Sequence, residues 1–203
     1  MDNKAYLDQI AVKGKVKSGP ILTPMLIKLI AAGVIALITM IIVGNVISGS
    51  NEKVTQTYER AYLRITNLAN EEGPLSTYVE KIKDSDLRAY ALTLLSTLKS
   101  TSTTVSSLSG NIGIKTDKIS KTVQNEEDAN TSDLSSSFED AVLTGTLDNV
   151  YASKAYYQVT TLIAIEAEAR AKTPNVQFAE TLDQSTDGLL ILQENFKKYN
   201  QEH

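Results

Sequence analysis

Residues 147–172 read LDNVYASKAYYQVTTLIAIEAEARAK, and residues 175–199 read NVQFAETLDQSTDGLLILQENFKKY. The first stretch carries two adjacent apolar stripes: Leu147, Tyr151, Ala155, Leu162, Ile165 and Ala169, and beside them Val150, Tyr157, Ile163 and Ala167. Spacings of three and four are those of an α-helix, and so broad an apolar face predicts a helix touched by several neighbours. The second stretch presents Phe178, Leu182, Leu189, Leu192, Phe196 and Tyr199 at the same spacings, with Gly188 as a slight weakness. Thr173-Pro174 lies between them, an N-cap and a first-turn proline. Two helices joined by so short a link must fold back on each other. The pattern predicts an antiparallel hairpin over 147–172 and 175–199, with Leu162, Ile165, Phe178, Leu182, Leu189 and Phe196 in the core.

Upstream, the period persists. Val54, Tyr58, Ala61, Tyr62, Ile65, Leu68 and Ala69 form one stripe, which Gly73-Pro74 interrupts. It restarts at Leu75, Tyr78, Val79 and Ile82, where Asp84 or Ser85 can cap a new helix. Leu87, Ala91, Leu94, Leu95, Leu98, Val105 and Leu108 carry that helix through a Ser/Thr-rich stretch, and Gly110-Asn111-Ile112-Gly113 breaks it. Residues 115–131 are polar, with only Ile119 and Val123 as anchors. Asn125-Glu126-Glu127-Asp128-Ala129-Asn130 has nothing to bury and reads as a solvated helix face or a mobile loop, with Glu126, Glu127 and Asp128 exposed. Ser132-Asp133 restarts a short helix through Leu134, Phe138, Ala141 and Val142 that stops near Gly145. Alternation of period two is nowhere sustained, and four Pro and ten Gly are too few for a chain of short strands and turns. The fold class is all-α: an antiparallel, four-helix-like bundle over residues 50–203.

The chain before this bundle has another character. Met25 to Ile47 reads MLIKLIAAGVIALITMIIVGNVI, with Lys28 its one charge. About 20 apolar residues suffice for a helix to cross the hydrocarbon core. The lipid bilayer is therefore an expected partner, with residues 23–48 as a single transmembrane helix. Lys13, Lys15 and Lys17 cluster just before it, whereas Lys53, Arg60 and Arg64 after it are interleaved with Glu52 and Glu59. The positive-inside rule then places residues 1–22 in the cytoplasm as a tail and residues 50–203 outside the cell. The apolar core is too long for a usual cleaved signal peptide, so the segment reads as a signal-anchor.

Charge divides in the same way. The net charge is −4. Residues 1–49 hold five Lys against two Asp, which is +3, and the remainder holds 15 Lys/Arg against 22 Asp/Glu, which is −7. An acidic domain offers no general attraction to nucleic acid, and none is expected as a partner. Cys is absent, which excludes disulfides, thiolate catalysis and Cys-ligated metals. The one histidine is His203, and no nucleotide-binding, zinc-protease or serine-hydrolase pattern occurs. Glu166 and Glu168, two apart on a helix, point about 200° apart and cannot share a site. Glu139-Asp140 near Asp148 is the nearest thing to an acidic cluster, and an acid at the start of the Leu147 helix has an ordinary structural use. Nine Tyr, among them Tyr58, Tyr62, Tyr78, Tyr90, Tyr151, Tyr156 and Tyr157, suit bundle seams, where the ring packs and the hydroxyl stays near water. No catalytic, cofactor-binding or metal-ligating residue is assigned, and the expectation is a protein that is not an enzyme.

Two resemblances accompany this reading. KDSDLRA at 83–89, LSSSFEDA at 134–141 and LDNVYA at 147–152 resemble stretches of uncharacterised membrane-anchored helical proteins of small-genome, host-attached bacteria such as the Saccharibacteria. With the apolar segment included, that resemblance covers most of the chain and implies a bacterial surface location without implying an activity. LDNVY at 147–151, FAETL at 178–182 and QENF at 193–196 are similar in layout to a secreted ferritin-like bacterial domain of unknown function. Members often carry Asp-His in the first of these helices and Glu-His in the last. Tyr157-Gln158 and Glu194-Asn195 stand at those places here, so no metal site is carried over. The leading expectation is a membrane-tethered binding or scaffolding module presenting an acidic surface to a protein partner. The alternatives are a subunit of a membrane complex held through its transmembrane helix, and a ferritin-like metal- or cofactor-binding protein.

Overall fold

The computed structural model describes residues 51–203, with side chains from Lys53 onward. The expected tail over 1–22 and membrane helix over 23–48 lie outside the described residues. Within them no helix is long and apolar enough to cross a membrane. The described chain is all-helical: α1 (Asn51–Leu68), the short α2 (Pro74–Val79), α3 (Ser85–Leu108), α4 (Lys121–Thr144), α5 (Leu147–Lys172) and α6 (Val176–Glu202). A single 3₁₀ turn, Ser109–Ile112, closes α3. The bundle thus has five long helices where the sequence pattern predicts four. The fifth is α4, expected as a short helix from Ser132, which instead begins at Lys121 and runs unbroken through the stretch read as a loop or solvated face.

The hairpin of α5 and α6 makes the most extensive contact in the bundle, and α3 also packs against α6. Helix α1 lies against α3, α4 and α5 together. It meets α5 antiparallel, with Thr57 near Glu168 and Arg64 near Gln158. It meets α4 parallel, since Glu59 reaches Ser120 and Arg64 reaches Glu127. Helix α2 closes one end over α3 and α4.

One apolar core runs the length of the bundle. Leu162, Phe178, Leu182, Leu189 and Phe196 are buried as their spacing predicts. Ile165 is only half-buried at the edge of the core, because Glu166 occupies the inward position between Leu162 and Ala169. The second stripe of α5 fares worse: Tyr157 and Ala167 are exposed, and Ala152 and Val159 take the inward places. Near the α2 end the aromatic rings gather. Phe138 stacks on Tyr151 with centroids 5.0 Å apart, and Tyr78 packs against Phe138 at 5.4 Å. The Tyr151 hydroxyl donates to the Leu75 carbonyl at 3.0 Å, which ties α5 to α2, and burial pushes its pKa upward.

Local signals explain the boundaries. Asp84 caps α3, accepting hydrogen bonds from the N–H groups of Asp86 and Leu87 at 2.9 and 2.8 Å. Replacing it by Ala is expected to lower stability by about 0.5–2 kcal/mol in urea denaturation. Gly145, at φ +73°, lets α4 end in a left-handed turn, where the Thr146 N–H reaches the Ala141 carbonyl at 2.9 Å. The α5–α6 link departs from expectation in one respect. Asn175 rather than Thr173 caps α6, accepting from the Phe178 N–H at 2.9 Å, so Pro174 precedes the helix instead of opening it. Gly73-Pro74 likewise opens α2 rather than ending α1, which stops at Leu68.

Candidate functional site

Three features stand out from an otherwise apolar bundle. The first is a charged centre shared by α1, α4 and α5. Along α4 the inward positions are Val123, Glu127, Asn130 and Leu134, spaced by four, three and four. Two of the four are polar. Glu127 is 1% exposed, and both its oxygens meet the Arg64 guanidinium, Oε2 at Nε (2.5 Å) and Oε1 at Nη2 (3.1 Å). The remaining Arg64 nitrogen, Nη1, donates to Gln158 Oε1 at 3.1 Å. Gln158 and Asn130 then pair amide to amide, at 3.0 and 3.3 Å. The four side chains satisfy one another, and each buried charge has a bidentate partner. This overturns the reading of Glu127 as an exposed residue. Its neighbours Glu126 and Asp128 are exposed, as expected, and Glu126 forms a surface pair with Arg60.

The second feature is Glu166, fully buried on α5. Its oxygens accept from two hydroxyls on α6, Ser185 Oγ at 2.7 Å and Thr186 Oγ1 at 2.9 Å. Among the described residues no cation pairs with it, and burial raises its pKa from 4.5 to about 7, against the opposing pull of the two hydroxyls. Ser185 also lines an open groove between α3 and α6, bordered by Thr97, Ser100, Thr101, Thr104 and Gln184. Glu168, two residues on, points elsewhere, toward Lys172 Nζ at 2.6 Å and Thr57. The two glutamates share no site, as their angular separation requires.

The third feature is a cleft of about 250 Å³ at the end of the bundle where α4 passes into α5. Lys81, Lys83, Val142, Thr146 and Asp148 line it. Leu143, next to Val142 in the sequence, is 84% exposed. Asp148 does not join Glu139 and Asp140 in a cluster. Its carboxylate accepts from the N–H groups of Lys83 and Asp84, at 3.1 and 2.9 Å, and fastens the linker before α3 to the start of α5. Glu139 and Asp140 are exposed. Glu59 does similar work on α1, holding the Ser120 N–H at 3.1 Å where α4 begins.

No family model matches the chain, and it matches no curated protein and no solved structure.

The chemistry must therefore be read from these residues alone. Among the described residues no three acidic or histidine side chains converge to hold a metal ion. The two fully buried carboxylates that could have faced one lie on different helices and are engaged, Glu127 with a guanidinium and Glu166 with two hydroxyls. Both sit on inward helical stripes, between Val123 and Leu134 and between Leu162 and Ala169. That register is the sequence signal by which they could have been recognised, and their polarity is what concealed it.

Proposed function

We propose that the chain is a non-enzymatic binding or scaffolding module, tethered to the cell membrane through residues 23–48, with residues 1–22 inside and the helical bundle outside. The observation that carries this reading is the apolar run Met25–Ile47 behind a cluster of lysines, followed by a helical unit with its own core. The end cleft supports a binding role. It lies at the end of the bundle remote from Asn51, and it combines the apolar Val142 and Leu147 with two lysines in a domain of net charge −7. Apolar residues rimmed by polar ones are a common form of protein-docking surface. The likeness to membrane-anchored surface proteins of host-attached bacteria agrees with this location.

The test is membrane attachment. Full-length chain expressed in bacteria should stay with membranes through alkaline carbonate extraction, and a chain lacking residues 23–48 should be released. Release of the full-length chain by carbonate would remove the tether and the proposal with it.

A further inference from the structure

We infer that Glu166 makes the α5–α6 hairpin a proton-sensitive latch, tight while its carboxyl group is neutral and looser once it ionises. The geometry begins with the position. Glu166 lies on the inward stripe of α5 and is itself fully buried. Everything that holds it comes from α6: Ser185 and Thr186, 19 and 20 residues further along the chain. A neutral carboxyl suits this dry seam, sharing its proton with one hydroxyl and accepting from the other. An ionised one needs two donated hydrogen bonds merely to offset the water it has lost, and has no counter-charge among the described residues.

The charged groups on the surrounding elements are engaged elsewhere. On α5, Glu168 is held by Lys172 and Thr57, and Arg170 is held by Asp183 of α6. Asp187 on α6 adds only further negative charge. Helix α1 brings Tyr58, Arg60 and Arg64, and the two arginines are bound to Glu126 and Glu127 of α4. Helix α3 brings the hydroxyls Thr97, Ser100, Thr101 and Thr104. The contrast with Glu127 is instructive. Both glutamates are buried, but Glu127 is held by a guanidinium, whereas Glu166 is held by two hydroxyls and burial pushes it toward neutrality. Since the folded pKa is raised, the contribution of Glu166 to stability is fully present below about pH 4.5 and is lost as the pH rises through about 7.

The latch is tested by hydrogen–deuterium exchange of the full-length chain in mild detergent, with rates corrected for the intrinsic effect of pH. Between pH 6 and pH 8.5, the peptides covering 160–170 and 179–190 should open about tenfold more often, from a carboxyl near 7 closed and 4.5 open. Glu166→Gln cannot ionise, and its profile should stay flat within about twofold over that range. The two chains differ only at residue 166, so the comparison isolates Glu166. Ser185→Ala removes a donor to the ionised form and should move the transition to higher pH. A flat profile in the unmodified chain, the same rise in Glu166→Gln, or a transition that Ser185→Ala leaves in place or lowers would each overturn the inference.

Discussion

Glu127→Ala is expected to destabilise the bundle by about 3–5 kcal/mol, as measured by urea denaturation of the full-length chain in detergent. The substitution removes a side chain of moderate size, yet it leaves the Arg64 guanidinium buried without its carboxylate. An uncompensated buried charge is far more costly than the loss of a few contacts. The adjacent Glu126→Ala should change stability by less than about 1 kcal/mol, because its pair with Arg60 is half in water. A double replacement, Arg64→Met with Glu127→Leu, should recover most of the loss. Once both charges are gone nothing is left unpaired, and Asn130 and Gln158 still hold each other. If Glu127→Ala were as harmless as Glu126→Ala, the charged centre would be a surface feature and α4 would be wrongly placed.

Phe138→Ala should be comparably damaging, at about 3–5 kcal/mol in the same assay. Its ring packs against both Tyr151 and Tyr78 and joins α4, α5 and α2. The cavity left behind would be walled by two rings. One of them is fixed in place by the hydrogen bond from Tyr151 to the Leu75 carbonyl, so collapse to fill the space is hindered. Leu143→Ala, on the exposed side of the same helix, should lie within about 0.5 kcal/mol of the unmodified chain.

These two residues mark where the sequence is legible and where it is not. Phe138 was readable, because it sits on an apolar stripe with Leu134 and Ala141, and all three are buried. The same is true of most of the α5–α6 hairpin and of the Asp84 cap. Glu127 was not readable by hydrophobic spacing, since the inward face of α4 holds Glu127 and Asn130 where an apolar pattern would place leucines. Their partners, Arg64 and Gln158, are 63 and 28 residues away, and no local pattern joins them. The helix start at Lys121 therefore leaves no apolar signal, and the sequence pattern shows four long helices where the fold has five. Glu166 was hidden in the same way. Ile165 is the more hydrophobic of the two neighbours, but the register of Leu162 and Ala169 turns Glu166 inward. The end cleft gave no signal at all, because it is assembled from the α2–α3 linker and the α4–α5 junction.

The central claim is a tethered module facing outward, and protease treatment of intact cells tests it most directly. Cells expressing the chain with a small epitope at each end should lose the C-terminal epitope and the bundle to added protease. The N-terminal epitope should survive on a fragment that stays with the membrane. Protection of the bundle in intact cells, with digestion only after lysis, would place residues 50–203 inside and contradict the account.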